Sequence, residues 1–221
     1  MTPAEIIALI DQAFATYFGS GGGGASLLGA NPTGGKLYEA FVLAEVARNL
    51  VQQEGCRLVL SRGSRLVLKG SPGPINPQYP CIQVWKGSSH CADIWTDIEF
   101  ATLSCLVRGI TPSDPGHFHE LDILMVTAGV TGYPSVTDIW FGVECKHREY
   151  QKGMLREVLG VRRELSFLAA DRATRFDAWP RTLVPAEPPI CLMVYSSSPT
   201  VKSYDAPGEV FGIDFEYFPM I

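Results

Sequence analysis

The sequence has 221 residues, of which 46% are hydrophobic and 19% are charged, and its formal net charge is −5. These proportions exclude a disordered chain, and the length fits one domain with a substantial core. No apolar run approaches the roughly 18 residues that span a bilayer, and the acidic N-terminal segment does not resemble a signal peptide. The six cysteines form no Cys-x-x-Cys pair, which is typical of reduced thiols. We therefore expect a cytoplasmic protein without a membrane partner.

The first part of the chain is predicted to hold two helices joined by a glycine-rich loop. Apolar residues at helical spacing after Pro3 predict a helix over about 3–18. Glycine dominates residues 20–35, and we expect a flexible loop there. A second helix is predicted over about 35–54.

The second predicted helix carries an acid on its apolar face. At 100° per residue, Glu39 falls within the apolar stripe, whereas Glu45 falls on the opposite side with Arg48. The stripe consists of Val42, Leu43, Val46 and Leu50. An unpaired buried carboxylate is costly, so Glu39 needs a partner. It is therefore either a member of a functional site or a structural acid at a helix end.

Short apolar runs then predict a series of strands. Residues 57–60 and 65–69 are predicted to pair as a short hairpin, and a further strand is predicted over 81–85. The apolar run at 98–107 predicts another strand.

Two longer runs, 119–126 and 139–147, are predicted to form an antiparallel hairpin. Position numbers of residues paired across an antiparallel hairpin have a constant sum. If the turn centres on Tyr133, that sum is 266, and Asp122 lies opposite Glu144. Both carboxylates are then expected at the end of a buried sheet.

Lys146 is predicted to share the face of these two acids, because residues i and i+2 of a strand point the same way. Two close carboxylates repel unless a cation lies between them. Mg²⁺ binds one or two protein carboxylates and retains positions for water and phosphate oxygens, and a nearby lysine can orient the water or stabilise the phosphate. Asp122, Glu144 and Lys146 therefore predict a metal-dependent site, and the alternative is a set of exposed charges at a strand end. Glu120 is a reserve ligand two residues before Asp122.

A basic segment follows the second arm of the hairpin. A third helix is predicted over about 150–170, with Gln151 at its start. Residues 145–175 contain eight basic and four acidic side chains, a local charge of +4. The basic residues are Lys146, Arg148, Lys152, Arg156, Arg162, Arg163, Arg172 and Arg175. This segment is either a surface that follows a phosphate backbone or a solvated helix face with internal ion pairs.

The C-terminal part is predicted to add a buried strand at 190–195 and an edge strand within 210–217. We expect one domain over 1–221, in which a core at 36–200 follows the N-terminal helix and loop of 1–35 and precedes a C-terminal extension at 201–221.

The acids and lysine of the hairpin carry a family resemblance. Asp122, followed on the next strand by Glu144-Cys145-Lys146, resembles the motif of the PD-(D/E)XK (restriction-endonuclease-like) nuclease superfamily. That family usually adds an acid from the preceding helix, after an aromatic residue, and Tyr38-Glu39 is similar to this arrangement. Leu121 stands where the name of the motif has proline. The resemblance implies an α/β fold, with a central mixed β-sheet flanked by helices as its restriction-endonuclease-like core.

The resemblance also implies a Mg²⁺-dependent endonuclease that cleaves DNA, with Mn²⁺ as a substitute ion and RNA as an open alternative. Asp122, Glu144 and the backbone carbonyl of Cys145 are expected to bind the metal, Lys146 to position or activate water, and Glu39 to support them. The expected nucleic-acid contacts are Arg148, Gln151, Lys152 and Arg156. Small defence or repair nucleases of this fold often act as homodimers or within larger complexes, and we expect the same here. The rival hypotheses are a non-catalytic nucleic-acid-binding or assembly module and a hydrolase acting on another substrate.

Overall fold

The computed structural model describes residues 2–18, 34–63, 66 and 68–220. It is an α/β fold in which helices flank a seven-stranded mixed sheet, as the sequence predicts. The predicted glycine-rich loop lies outside the described residues up to position 33. The helices are α1 (Pro3–Tyr17), α2 (Gly34–Gln52), α3 (Leu103–Arg108), α4 (Lys152–Leu165) and α5 (Asp205–Phe211), and short 3₁₀ helices lie at Pro115–His117, Val136–Asp138 and Pro199–Tyr204. The strands are β1 (Arg57–Leu60), β2 (Ile82–Lys86), β3 (Ser89–Ala101), β4 (Phe118–Thr127), β5 (Ile139–Lys146), β6 (Phe167–Ala173), β7 (Leu183–Glu187), β8 (Cys191–Ser196) and β9 (Ile213–Tyr217).

The order of strands in the sheet is β1-β2-β3-β4-β5-β8-β9. Strands β1 to β5 pair antiparallel in sequence order, whereas β5, β8 and β9 run parallel. Parallel neighbours need a crossover connection, and α4 lies in the one between β5 and β8. The C-terminal segment supplies β9 as the edge strand, which confirms that prediction. Strands β6 and β7 form a separate two-stranded hairpin.

The sheet has an apolar core on each face. Helices α1 and α2 pack on one face, where the buried residues include Ile10, Phe14, Tyr38, Leu43, Ile123, Met125, Phe141 and Val143. Helix α4 packs on the other face, where they include Leu121, Leu124, Val126, Tyr150, Met154 and Val158. Among the described residues, no helix combines the length and the apolar character needed to cross a bilayer. The central strands β4 and β5 are thus covered on both sides.

Glu54, just after α2, holds the loop that precedes β7. Its Oε1 accepts hydrogen bonds from the backbone N–H groups of Ala178 (2.6 Å) and Trp179 (2.8 Å). Its Oε2 accepts a third from the N–H of Asp177 at 2.9 Å. Burial raises the pKa of Glu54, but these three bonds outweigh it and the pKa is lowered.

Strand β1 pairs with β2. The second arm of the predicted short hairpin, 65–69, lies partly outside the described residues. One predicted strand is wrong. The run at 98–107 is divided: β3 ends at Ala101 and α3 follows, because a short apolar run has no period that separates strand from helix. The N–H of Gly109, which has a left-handed φ of 62°, bonds to carbonyls of α3 and ends that helix.

The third predicted helix is shorter than the predicted 150–170. Helix α4 ends at Leu165, and Leu168, predicted on its inward stripe, lies on β6 with 45% of its surface exposed. Ser166 is extended (φ −156°), and its hydroxyl donates to the Pro188 carbonyl at 2.8 Å. Pairing of β6 with β7 therefore replaces the last turns of the predicted helix.

Candidate active site

The β4–β5 hairpin has the predicted register. Ile123 pairs with Val143, Leu124 with Gly142 and Met125 with Phe141, so these position numbers sum to 266, and a register shift towards the turn follows at Val126. The same sum puts Asp122 opposite Glu144, one step beyond the last pair of the ladder. The Oδ2 atom of Asp122 accepts a hydrogen bond of 2.6 Å from the backbone N–H of Cys145. This bond fixes the Asp122 carboxylate against β5.

Gly142 on β5 leaves room for the side chain of Leu121 on β4. A Cβ atom at this position would collide with Cδ1 of Leu121. Leu121 is fully buried and directly precedes Asp122. The absence of a side chain at 142 therefore leaves room for the leucine that precedes Asp122.

The charged residues at the end of the hairpin line a single pocket of about 250 Å³. Its lining consists of Glu120, Asp122, Glu144 and Lys146 from the strands and of Glu157, Val158 and Val161 from α4. Lys146 Nζ lies 2.9 Å from Glu144 Oε2 in an ion pair. The structure thus brings together the three strand residues that the sequence predicts, and Glu120 with them.

Glu39 reaches the same site from the α2 side. Lys36 Nζ lies 2.7 Å from Glu39 Oε2 and also bonds to Asp97 Oδ1. One carboxylate oxygen from each of Glu39, Asp97 and Asp122 lies within 4.8 Å of the other two. Asp122 therefore belongs both to the pocket and to this second group of acids, which we call the α2-side cluster.

Asp97 lies in the α2-side cluster but is not among the site residues that the sequence predicts. The predicted strand began at Ile98, whereas β3 begins at Ser89 and includes Asp97. An acid inside the apolar run Ile94-Trp95-Thr96-Asp97-Ile98 is the signal that could have found it, because a buried carboxylate needs a partner.

The ladder between β3 and β4 is interrupted at the acids. It pairs Thr96 with Ile123 and Ile98 with Leu121, but it omits the intervening Asp97 and Asp122. Core residues change face at this step: Leu121 packs in the α4-side core and Ile123 in the α2-side core, although residues two apart in a regular strand share a face. The interruption explains how Asp122 can approach groups in both layers.

Four acids of the site have raised pKa values. Burial raises the pKa of Glu39 to about 7, with a smaller contribution from the charge of Asp122. Burial and then the charge of Asp122 also raise the pKa of Glu144. Burial is the main cause of the raised pKa of Asp97 and of Asp122. Such perturbed carboxylates favour a bound cation and are typical of functional sites.

Lys146 remains charged at neutral pH. Burial lowers the pKa of its ammonium group, but the charge and hydrogen bond of Glu144 and the charge of Asp122 outweigh burial and raise it. A protonated amine donates hydrogen bonds and cannot accept a proton. Lys146 can therefore orient water or a phosphate oxygen and offset negative charge.

The predicted nucleic-acid contacts Arg148, Gln151, Lys152 and Arg156 are exposed, and Gln151 is the N-cap of α4. Arg162 does not belong to this surface. It is 1% exposed, and its guanidinium donates to the carbonyls of Phe211 (2.9 Å) and Ile190 (2.7 Å). Helical periodicity places Arg162 on the side of α4 that faces the core. The exposed basic surface therefore has fewer side chains than the eight basic residues of 145–175.

Comparisons with protein-family models, with characterised proteins and with solved structures find no match to this chain. The basis for assigning a function is therefore the chemistry of the pocket and of the α2-side cluster.

Proposed function

We propose that this protein is a Mg²⁺-dependent endonuclease that hydrolyses phosphodiester bonds of DNA. The observation that supports the proposal most directly is the meeting of Asp122, Glu144 and Lys146 in one pocket, with Glu39 close to Asp122 on the other side. A helix that carries an acid, a hairpin that ends in these residues and a polar helix after it agree with the PD-(D/E)XK resemblance. The restriction-endonuclease-like core is part of this proposal.

The residues fit a hard divalent cation. The pocket and the α2-side cluster offer carboxylate oxygens, which Mg²⁺ prefers, and the acids outnumber the lysines among them. Asp122, Glu144 and the carbonyl of Cys145 would hold the ion, and Glu39 would support it. A bound Mg²⁺ would supply a water of lowered pKa and offset the charge on the phosphate.

The protein residues would position the substrate and the water. The Lys146 ammonium, held by its ion pair with Glu144, would donate to the attacking water or to a phosphate oxygen. Arg148 lies exposed just before α4, the helix that forms one wall of the pocket, and Lys152 and Arg156 lie exposed on its first turns; there they would contact neighbouring phosphates.

A cleavage assay on supercoiled plasmid, linear duplex DNA, single-stranded DNA and RNA, each with Mg²⁺, Mn²⁺ or EDTA, tests this function. We expect metal-dependent nicking of the plasmid that is lost in Lys146→Met and in Asp122→Asn. The exposed acid Glu149, changed to Gln, serves as the control and should keep full activity. Retained cleavage in both site variants would refute the assignment, and DNA binding without any cleavage would favour the non-catalytic module.

A further inference from the structure

The α2-side cluster contains a buried carboxylate oxygen without a partner. Asp97 is 2% exposed, and its Oδ2 atom has no hydrogen-bond partner in the described parts of the chain. Its Oδ1 atom bonds to Lys36, which is also bonded to Glu39, so the carboxylate faces the cluster. A buried anionic oxygen left unpaired is costly, and this cost points to a ligand that the cluster is built to take.

The ammonium group of Lys36 lies between acids of the cluster, at a position that a metal ion could take. It contacts the carboxylates of Glu39 on α2 and of Asp97 on β3, and Asp97 is 61 positions from Lys36 in the sequence. Lys36 pairs with the carboxylates of Glu39 and Asp97, whereas Lys69 bonds to the backbone carbonyl of Asp97 and Lys146 pairs with Glu144. A divalent ion bound to all three carboxylates of the cluster would offset their charge more fully than an ammonium group bonded to two of them.

The spacing of the oxygens suits a small hard ion. Two oxygens bound to one Mg²⁺ at about 2.1 Å lie about 3 Å apart when adjacent and about 4 Å apart when opposite. The three oxygens of the cluster lie within 4.8 Å of one another, so small side-chain rotations would bring them to one ion, and water would fill its remaining positions. One oxygen of Asp122 is held by the N–H of Cys145, and the other can serve as a ligand.

We propose that Glu39, Asp97 and Asp122 bind a divalent cation that displaces the Lys36 ammonium from the cluster. This position is additional to the one assigned to Asp122 and Glu144, and Asp97 is its distinguishing ligand. The inference rests on the proposed function for the reaction that the ion would serve, but binding of the ion can be measured without any reaction.

Titration of metal-free protein with Mn²⁺, followed by electron paramagnetic resonance of the free ion and by calorimetry, tests the inference. We expect Asp97→Asn to lose one bound Mn²⁺ per chain. Asparagine preserves the side-chain shape and, like aspartate, tolerates the φ of 52° found at this position. Glu99→Gln, two residues away on β3 and outside the cluster, is the matched control and should bind Mn²⁺ as the unaltered protein does.

Lys36→Met gives an independent test that does not depend on the folding of the Asp97 variant. Removing the competing ammonium should tighten Mn²⁺ binding at this position, by roughly tenfold or more. Weaker or unchanged binding in Lys36→Met, or unchanged stoichiometry in Asp97→Asn, would overturn the inference. Glu144→Gln should retain the Asp97-dependent ion.

The two proposals can fail separately. Asp97-dependent Mn²⁺ binding in a protein that cleaves no nucleic acid would support the cation position and refute the nuclease. Metal-dependent cleavage, together with Mn²⁺ binding that is unchanged in Asp97→Asn, would support the nuclease and refute the additional cation position.

Discussion

Replacing Glu39 by glutamine should stabilise the metal-free protein at alkaline pH. Burial raises the pKa of Glu39 from 4.5 to about 7, so the folded state holds its proton more tightly than the unfolded state does. The free energy of unfolding therefore falls as the pH rises from 4.5 to about 7 and stays low above it. Glutamine removes this loss and keeps an oxygen that can accept the hydrogen bond from Lys36.

The size of the effect follows from the pKa. At about 1.4 kcal/mol per pKa unit, the shift corresponds to about 3 kcal/mol. The Glu39 side chain is 12% exposed, so screening by solvent reduces this figure only modestly, and we expect a gain of about 2–3 kcal/mol at pH 8. At pH 5, where Glu39 is mostly protonated in the fold, the gain should shrink to less than about 1 kcal/mol.

Urea denaturation in EDTA at pH 5 and pH 8, followed by circular dichroism, measures both values. Glu149→Gln, an exposed position outside the site, controls for the loss of one negative charge. If Glu39→Gln destabilises the protein equally at both pH values, Glu39 is a structural acid and the argument from burial is wrong. Addition of Mg²⁺ should stabilise the unaltered protein more than the variant, because the variant lacks a ligand.

Three further predictions test the surface and the framework of the site. Replacing the exposed basic residues of the proposed DNA surface by glutamine should weaken binding without sequence preference and reduce the slope of log K against log salt by roughly 3, measured by fluorescence anisotropy. The residues replaced together are Arg148, Lys152 and Arg156. Arg162→Leu should cost about 2–4 kcal/mol in urea denaturation, because two buried carbonyls lose their donor, whereas the exposed Arg163→Leu should change stability by less than about 0.5 kcal/mol; equal effects would contradict the buried role. Glu54→Gln should cost about 1–3 kcal/mol at pH 7, and because the pKa of Glu54 is lowered, the difference should disappear as the pH falls well below 4.5; a cost that persists at acid pH would count against the three backbone hydrogen bonds.

The hairpin and its acids could be predicted from sequence because their signals are local. Two apolar runs of strand length predict the arms, and a turn centred on Tyr133 gives the sum of 266 that holds from Met125 to Ile123, although the register shifts by one position at Val126. The position of Glu39 on the apolar stripe of α2 likewise depends only on helical periodicity. These patterns need no knowledge of which distant elements meet.

The parts that sequence reasoning missed depend on tertiary context. Asp97 joins the site because the β3–β4 ladder is interrupted there, and pattern matching assumes an unbroken strand. The burial of Arg162 depends on the carbonyls that α5 and the segment before β8 present to it. Leu168 lies on a strand and not in the predicted helix, because it pairs with Ala186 of β7. In each case a contact between distant segments overrides a local preference.

The contact between Gly142 and Leu121 bears on the distance between the carboxylates of Asp122 and Glu144. The hydrogen atom of Gly142 is all that fits beside Leu121, the residue next to Asp122. A methyl group at 142 would push the leucine aside and, through the backbone, alter the spacing between the carboxylates of Asp122 and Glu144. A substitution at this uncharged position would therefore act on the electrostatics of the pocket, although no atom of residue 142 takes part in the proposed chemistry.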